Sequence, residues 1–134
     1  MKNEKLIYWA ATAVMCLVYF FSASMYVFNH EWVVTSYTTI GFPTWLIYPS
    51  ATYKILGIVA VLSKRSPLLT EWAYAGFFFN GALAVTAHVM VGDGAWPMSL
   101  IALVSAIASR IYYGKVAEFR RSSFRPATLS PLFD

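Results

Sequence analysis

The run LIYWAATAVMCLVYFFSASMYVF, residues 6–28, decides the fold: it holds 23 residues and no charge. At the helical rise of 1.5 Å per residue it reaches about 34 Å, enough to cross a bilayer. Lys2 and Lys5 precede it, and Ser22-Ala23-Ser24 imitates a cleavage site. The apolar region is too long for a secretory signal, so the expectation is a retained span.

Working outward, three further runs are long and mostly apolar: about residues 44–63, 68–91 and 95–113. Pro49 lies inside the second and should kink it or delay its regular start. Ser66-Pro67 marks the corner before the third run, and Gly92-Asp93-Gly94 makes a tight turn before the fourth. Gly114 is expected to end the last helix. The whole composition agrees: 59% of the 134 residues are hydrophobic and 12% charged. Mean hydropathy is +0.58. A soluble domain of this size could not hide that much apolar surface. The expected fold is an all-α membrane protein, a four-transmembrane-helix bundle over residues 1–113 followed by a basic tail, 114–134. There is no internal repeat and no low-complexity segment.

Charge placement predicts direction. Of the ten Lys and Arg residues, nine fall on one side of this arrangement: Lys2, Lys5, Lys64, Arg65, Arg110, Lys115, Arg120, Arg121 and Arg125. The other side carries Glu31 and Asp93. The positive-inside rule then puts both termini in the cytoplasm. Trp9 and Trp72 fall at the inner interface, and Trp32, Trp45 and Trp96 at the outer one, as an aromatic belt would. The net charge of +4 therefore reads as a topology signal and a lipid contact. The tail has too little aromatic interleaving for nucleic acid, and its end, RPATLSPLFD, is expected to be poorly ordered.

Residues 29–42 are longer than a minimal turn. They mix polar and apolar side chains and end in Gly41-Phe42-Pro43. Such a segment lies at the outer interface or folds over the bundle mouth as a lid. The third run spaces Gly76, Asn80, Ala84 and His88 four apart. Successive members turn by about 40°, so they form one drifting stripe. Ser99, Ala102, Ser105, Ala106 and Ser109 form another in the fourth run. Small residues of this kind let helices approach in lipid, and they also suit a polar-lined pocket. Phe77, Phe78 and Phe79 cannot all face one way.

The polar residues at depth are the functional candidates. Lys54 is the tenth basic residue and lies mid-span, where an ammonium needs acceptors. Asn80 is expected at the same depth. Glu31 is the preferred anionic partner if the outer segment folds inward, and Glu71 the other. Snorkelling of the lysine stem and contact with a ligand are the competing readings. Glu71 also suits a helix N-terminus, with Thr70 as a cap. His30, Glu31, His88 and Asp93 could meet on the outer face, which raises a metal or, through the two histidines, a haem. No tight spacing motif joins them, and no metal site is expected. The single cysteine, Cys16, excludes an internal disulfide and a Cys-x-x-Cys relay. No nucleophile elbow, phosphate loop or zinc-binding helix is visible, so enzymatic activity stays open.

Three stretches, GFPTWLIYPSATYKILGIVAVL, LLTEWAYAGFFFNGALAVTAH and VMVGDG, together resemble the DoxX-like family of small four-helix bacterial membrane proteins. The elements are Gly41 and Pro43, Lys54 with Leu56-Gly57, the run Glu71 to Gly76, and His88 with Gly92-Asp93. The resemblance covers about residues 6–113. It implies the fold above and a place among membrane redox assemblies or membrane chaperones. If the work is redox, the lone cysteine sends the electrons to a quinone or to a partner's cofactor. The leading expectation is a component of a membrane redox assembly, with quinone as candidate ligand near Lys54, Asn80 and His88. The alternatives are a noncatalytic scaffold or assembly factor and a small transporter. Expected partners are membrane lipid, another membrane protein and a second copy of the chain.

Overall fold

Buried positions on the first helix recur at Tyr8, Thr12, Met15, Tyr19 and Ala23. Steps of three and four residues keep them on one face. That helix, α1, is Lys2–Phe28. In the computed structural model, which describes residues 2–123, four further helices follow: α2 (His30–Ile40), α3 (Ile47–Ser63), α4 (Pro67–Val91) and α5 (Trp96–Ser123). A 3₁₀ turn, Thr44–Leu46, leads into α3. Lys2–Phe28, Thr44–Ser63, Pro67–Val91 and Trp96–Glu118 are long and apolar enough to cross a membrane.

The four long helices form a ring. α1 packs on α3 and α5, and α4 packs on the same two, so α1 and α4 stand on the diagonal. The polarity is that of a protein in lipid. Thr12, Ser50, Lys54, Thr70, Ser105 and Ser109 are buried, while Leu17 and Phe79 are each 68% exposed. Aliphatic and aromatic side chains facing outward on every span need an apolar solvent. Of the three consecutive phenylalanines, Phe77 is buried, and Phe78 and Phe79 face out.

At mid-bundle the Tyr19 ring stacks on Phe77 with centroids 4.4 Å apart, and the Tyr19 hydroxyl donates to the Phe77 carbonyl at 2.7 Å. Glycines make room for these contacts. A Cβ on Gly57 would stand 2.7 Å from the Phe77 ring, and one on Gly81 would stand 3.1 Å from the Leu103 Cα. These are the close approaches that small residues allow. Gly76, on the expected small-residue stripe, faces open space instead. The α5 stripe is as expected: Ala102, Ser105, Ala106 and Ser109 are all buried.

The helix ends follow local chemistry. Pro49 is the third residue of α3, in the first turn, where a missing N–H costs no helical bond. It delays the regular helix behind the 3₁₀ turn, without a mid-span break. Ser66 caps α4: its hydroxyl accepts the Leu69 N–H at 3.3 Å, with Pro67 the first helical residue. Thr70 is not the cap. It is buried and donates to the Ser66 and Ala60 carbonyls at 2.9 and 3.3 Å, tying α4 to the end of α3. Gly114 does not end α5, which continues to Ser123. One internal glycine costs about 1 kcal/mol, and the core face resumes beyond it at buried Val116. The segment RPATLSPLFD lies outside the described residues.

Residues 29–42 contain a helix. Asn29 breaks the path after α1, and α2 ends at Gly41 in the left-handed region, with φ of 86°. Val33 of α2 is buried, and α2 touches α1 and α4 across the bundle mouth. The arrangement is that of a lid.

Candidate functional site: a lidded polar cavity

Under α2 lies a cavity of about 260 Å³ between α1, α4 and α5, with Lys54 of α3 in its wall. Three of the sequence-predicted residues line it: Lys54, Asn80 and His88. Most of the remaining wall is apolar, and the lid contributes Val33, Ser36 and Tyr37. Among the described residues, no carboxylate lines it.

Lys54 is 3% exposed. Its ammonium donates to the Ser22 hydroxyl at 3.0 Å and to the Tyr26 hydroxyl at 2.9 Å, both on α1. It also lies 4.2 Å from the Tyr26 ring centre. Helix side chains lean toward the N-terminus, so the stem carries the charge toward the start of α3, under the lid. An ammonium has three N–H groups, and the third has no partner among the described residues. The expected pairing with Glu31 is absent. On α2, Glu31 stands two positions before buried Val33, about 200° around the helix, and Glu31 is exposed. Asn80 shares the cavity with Lys54 but makes no hydrogen bond to it.

Tyr26 also receives the Tyr37 hydroxyl at 2.9 Å, with the two rings edge to face. The lid and the buried lysine therefore meet at one phenol oxygen.

His88 and Asp93 form the second polar feature. The His88 Nδ1 and Asp93 Oδ2 are 2.7 Å apart, and Asp93 Oδ1 accepts the Ala95 N–H at 2.9 Å. The Ala95 amide first, and the His88 ring second, hold the Asp93 carboxyl below the usual carboxylate range. A carboxylate against Nδ1 keeps the proton there and leaves Nε2 as the acceptor. The four outer-face candidates do not form one cluster. Glu31 is exposed, and His30 stacks on Tyr48 with its Nδ1 3.4 Å from the Tyr26 carbonyl. At the opposite end, Glu71 pairs with Arg110 Nε at 2.8 Å. Both are about half exposed, which makes this a weak tie between α4 and α5.

Sequence reasoning missed Ser22, Tyr26 and Tyr37. Ser22 and Tyr26 are four apart near the end of α1, on the side that an antiparallel lysine would reach. It also missed a hydroxyl chain in the other half of the bundle. There the Ser109 hydroxyl bonds Thr12 at 2.7 Å and Tyr74 at 2.8 Å, and the buried Tyr8 hydroxyl has no hydrogen-bond partner among the described residues.

A ring of four apolar helices, with a short helix at one end over a mostly apolar cavity, defines a class: a multi-pass membrane protein with an internal cavity. The sequence pattern of the DoxX-like family matches residues 10–109, nearly all of the bundle, and the chain belongs to that family. No curated relative and no solved structure matches it.

Proposed function

We propose that the cavity receives the oxygen-bearing head of a small amphipathic molecule of the quinone type, drawn from the bilayer, and that the protein serves in a membrane redox assembly. One observation carries this reading: a buried ammonium, held by two neutral hydroxyls, keeps one N–H for an acceptor in a mostly apolar pocket. Such pockets fix a ligand by a few placed polar groups within an apolar wall. Cys16 is half-buried and alone, so electrons pass through the ligand and a protein partner. The basic residues at the start of α1, the α3–α4 corner and along α5 support cytoplasmic termini in a bacterial inner membrane. The cavity then lies in the outer half of the bilayer.

The test is a titration of decylubiquinone into the detergent-purified protein, followed by quenching of tryptophan fluorescence, since Trp32 lines the cavity. Lys54→Met is expected to weaken binding about tenfold or more, the worth of a hydrogen bond to a charged donor. Equal binding by both forms, or none by either, contradicts the reading. A scaffold role has one observation in its favour: the Lys54 bonds also join α3 to α1.

A further inference from the structure

We propose that the cavity takes its ligand by an acidic ring hydroxyl and ionises it, the His88–Asp93 pair accepting the proton and Lys54 holding the oxyanion. This rests on reading the cavity as a ligand site.

The cavity wall carries one ammonium and no carboxylate. A neutral ligand leaves that buried cation uncompensated, whereas an oxyanion within reach of its free N–H completes an ion pair. The site therefore favours the deprotonated form of any hydroxyl placed beside Lys54.

Ionisation also needs a base. Tyr19 and Tyr26 of α1 and Tyr37 of α2 bring phenol hydroxyls to the cavity, which donate and accept hydrogen bonds. As an ammonium, Lys54 of α3 has no lone pair to offer, Asn80 of α4 is not basic, and α5 offers the Ser99 hydroxyl. His88 alone among these offers a basic ring nitrogen, Nε2, because Nδ1 is committed to Asp93 at 2.7 Å. In the step, the ligand O–H bond breaks and its electron pair stays on oxygen. An N–H bond forms at Nε2, and the resulting imidazolium lies against the Asp93 carboxylate. No electrons leave the ligand. The proton then has a way out: the His88 and Asp93 side chains are 19% and 29% exposed, at the α4–α5 turn. The substrate class is thus an amphipathic phenol or enol, which includes the reduced, hydroxyl-bearing form of a quinone-type ligand.

A 2-alkyl-4-nitrophenol tests this, because its phenolate absorbs apart from its phenol. The full-length protein in detergent is titrated with the probe bound, beside empty micelles. The bound probe should ionise about one pH unit or more below its midpoint in micelles. Asp93→Asn keeps an Oδ1 for the Ala95 amide but removes the charge behind His88. It and His88→Gln should each return a large part of the shift while the probe stays bound. Lys54→Met should abolish the shift. A probe that binds yet ionises as in empty micelles overturns the acid–base inference and leaves the pocket standing. So does a shift that survives both His88→Gln and Asp93→Asn. A probe that does not bind at all overturns the inference together with the pocket reading.

Discussion

The Lys54 ammonium lies 2.9 Å from the Tyr26 hydroxyl, joining a cation buried in α3 to the last turn of α1. The lid residue Tyr37 donates to the same oxygen at 2.9 Å. These partners are neutral, so they satisfy two donors without cancelling the charge. A residue kept only to lock helices would be served as well by an apolar side chain, because burying an ammonium costs more than two neutral hydrogen bonds return.

That reasoning predicts opposite signs for the two ends of the contact. Lys54→Met should leave the unfolding midpoint in detergent unchanged or raised. Tyr26→Phe leaves the charge in place and removes an acceptor, and should cost about 1–3 kcal/mol. Thermal unfolding of both variants checks this. A large loss for Lys54→Met would favour the helix lock.

The lid should loosen without the bundle loosening. Tyr37→Phe deletes the hydroxyl that reaches Tyr26 but keeps the ring contact. Hydrogen exchange should quicken at residues 30–40 and stay unchanged in α5. Equal protection of the lid in both proteins would show that Val33 packing alone holds it.

Glycine positions should separate sharply. Gly81→Ala brings a methyl to 3.1 Å from the α5 backbone at Leu103, and helix backbones give way poorly. The cost of such overpacking is about 1–3 kcal/mol. Gly76→Ala meets nothing within 4 Å and should be neutral or stabilise by up to about 1 kcal/mol. Unfolding midpoints of the two variants check the ranking.

The α4–α5 turn should respond to acid. The Ala95 amide and the His88 ring hold the Asp93 carboxyl low. A depressed carboxyl stabilises the turn at pH values above its ordinary range, and that contribution is lost as pH falls through the lowered value. The Ala95 amide should therefore stay protected at neutral pH and exchange faster, relative to its intrinsic rate, in the acid range below the ordinary carboxylate pKa of about 4. Asp93→Asn should remove this acid dependence. Identical profiles for the two proteins would contradict it.

The four spans were legible because each is a long apolar run with at most one Lys, Arg, Asp or Glu, and lipid leaves helices few alternatives. Lys54, Asn80 and His88 were legible because polar groups are scarce at that depth. The Glu31 pairing failed for a reason that no pattern of spans contains. The chain between α1 and α3 folds as a helix of its own, and its rotation turns Glu31 away from Val33 and the cavity. Likewise Ser22 read as part of a cleavage-site mimic, and Tyr26 carried no signal of its own. Their role depends on the relative register of α1 and α3, which sequence periodicity does not set. Gly114 misled because a glycine signals a helix end only when the apolar face stops there, and Val116 continues it.

The central claim is that the cavity is a ligand site with Lys54 as its anchor. Mass spectrometry of small molecules released from the purified protein tests it most directly, with wild type and Lys54→Met prepared side by side. The account predicts an amphipathic molecule with an oxygen-bearing ring head in the wild type, depleted in a folded Lys54→Met. An empty wild-type protein, or the same molecule at the same occupancy in both, would contradict it.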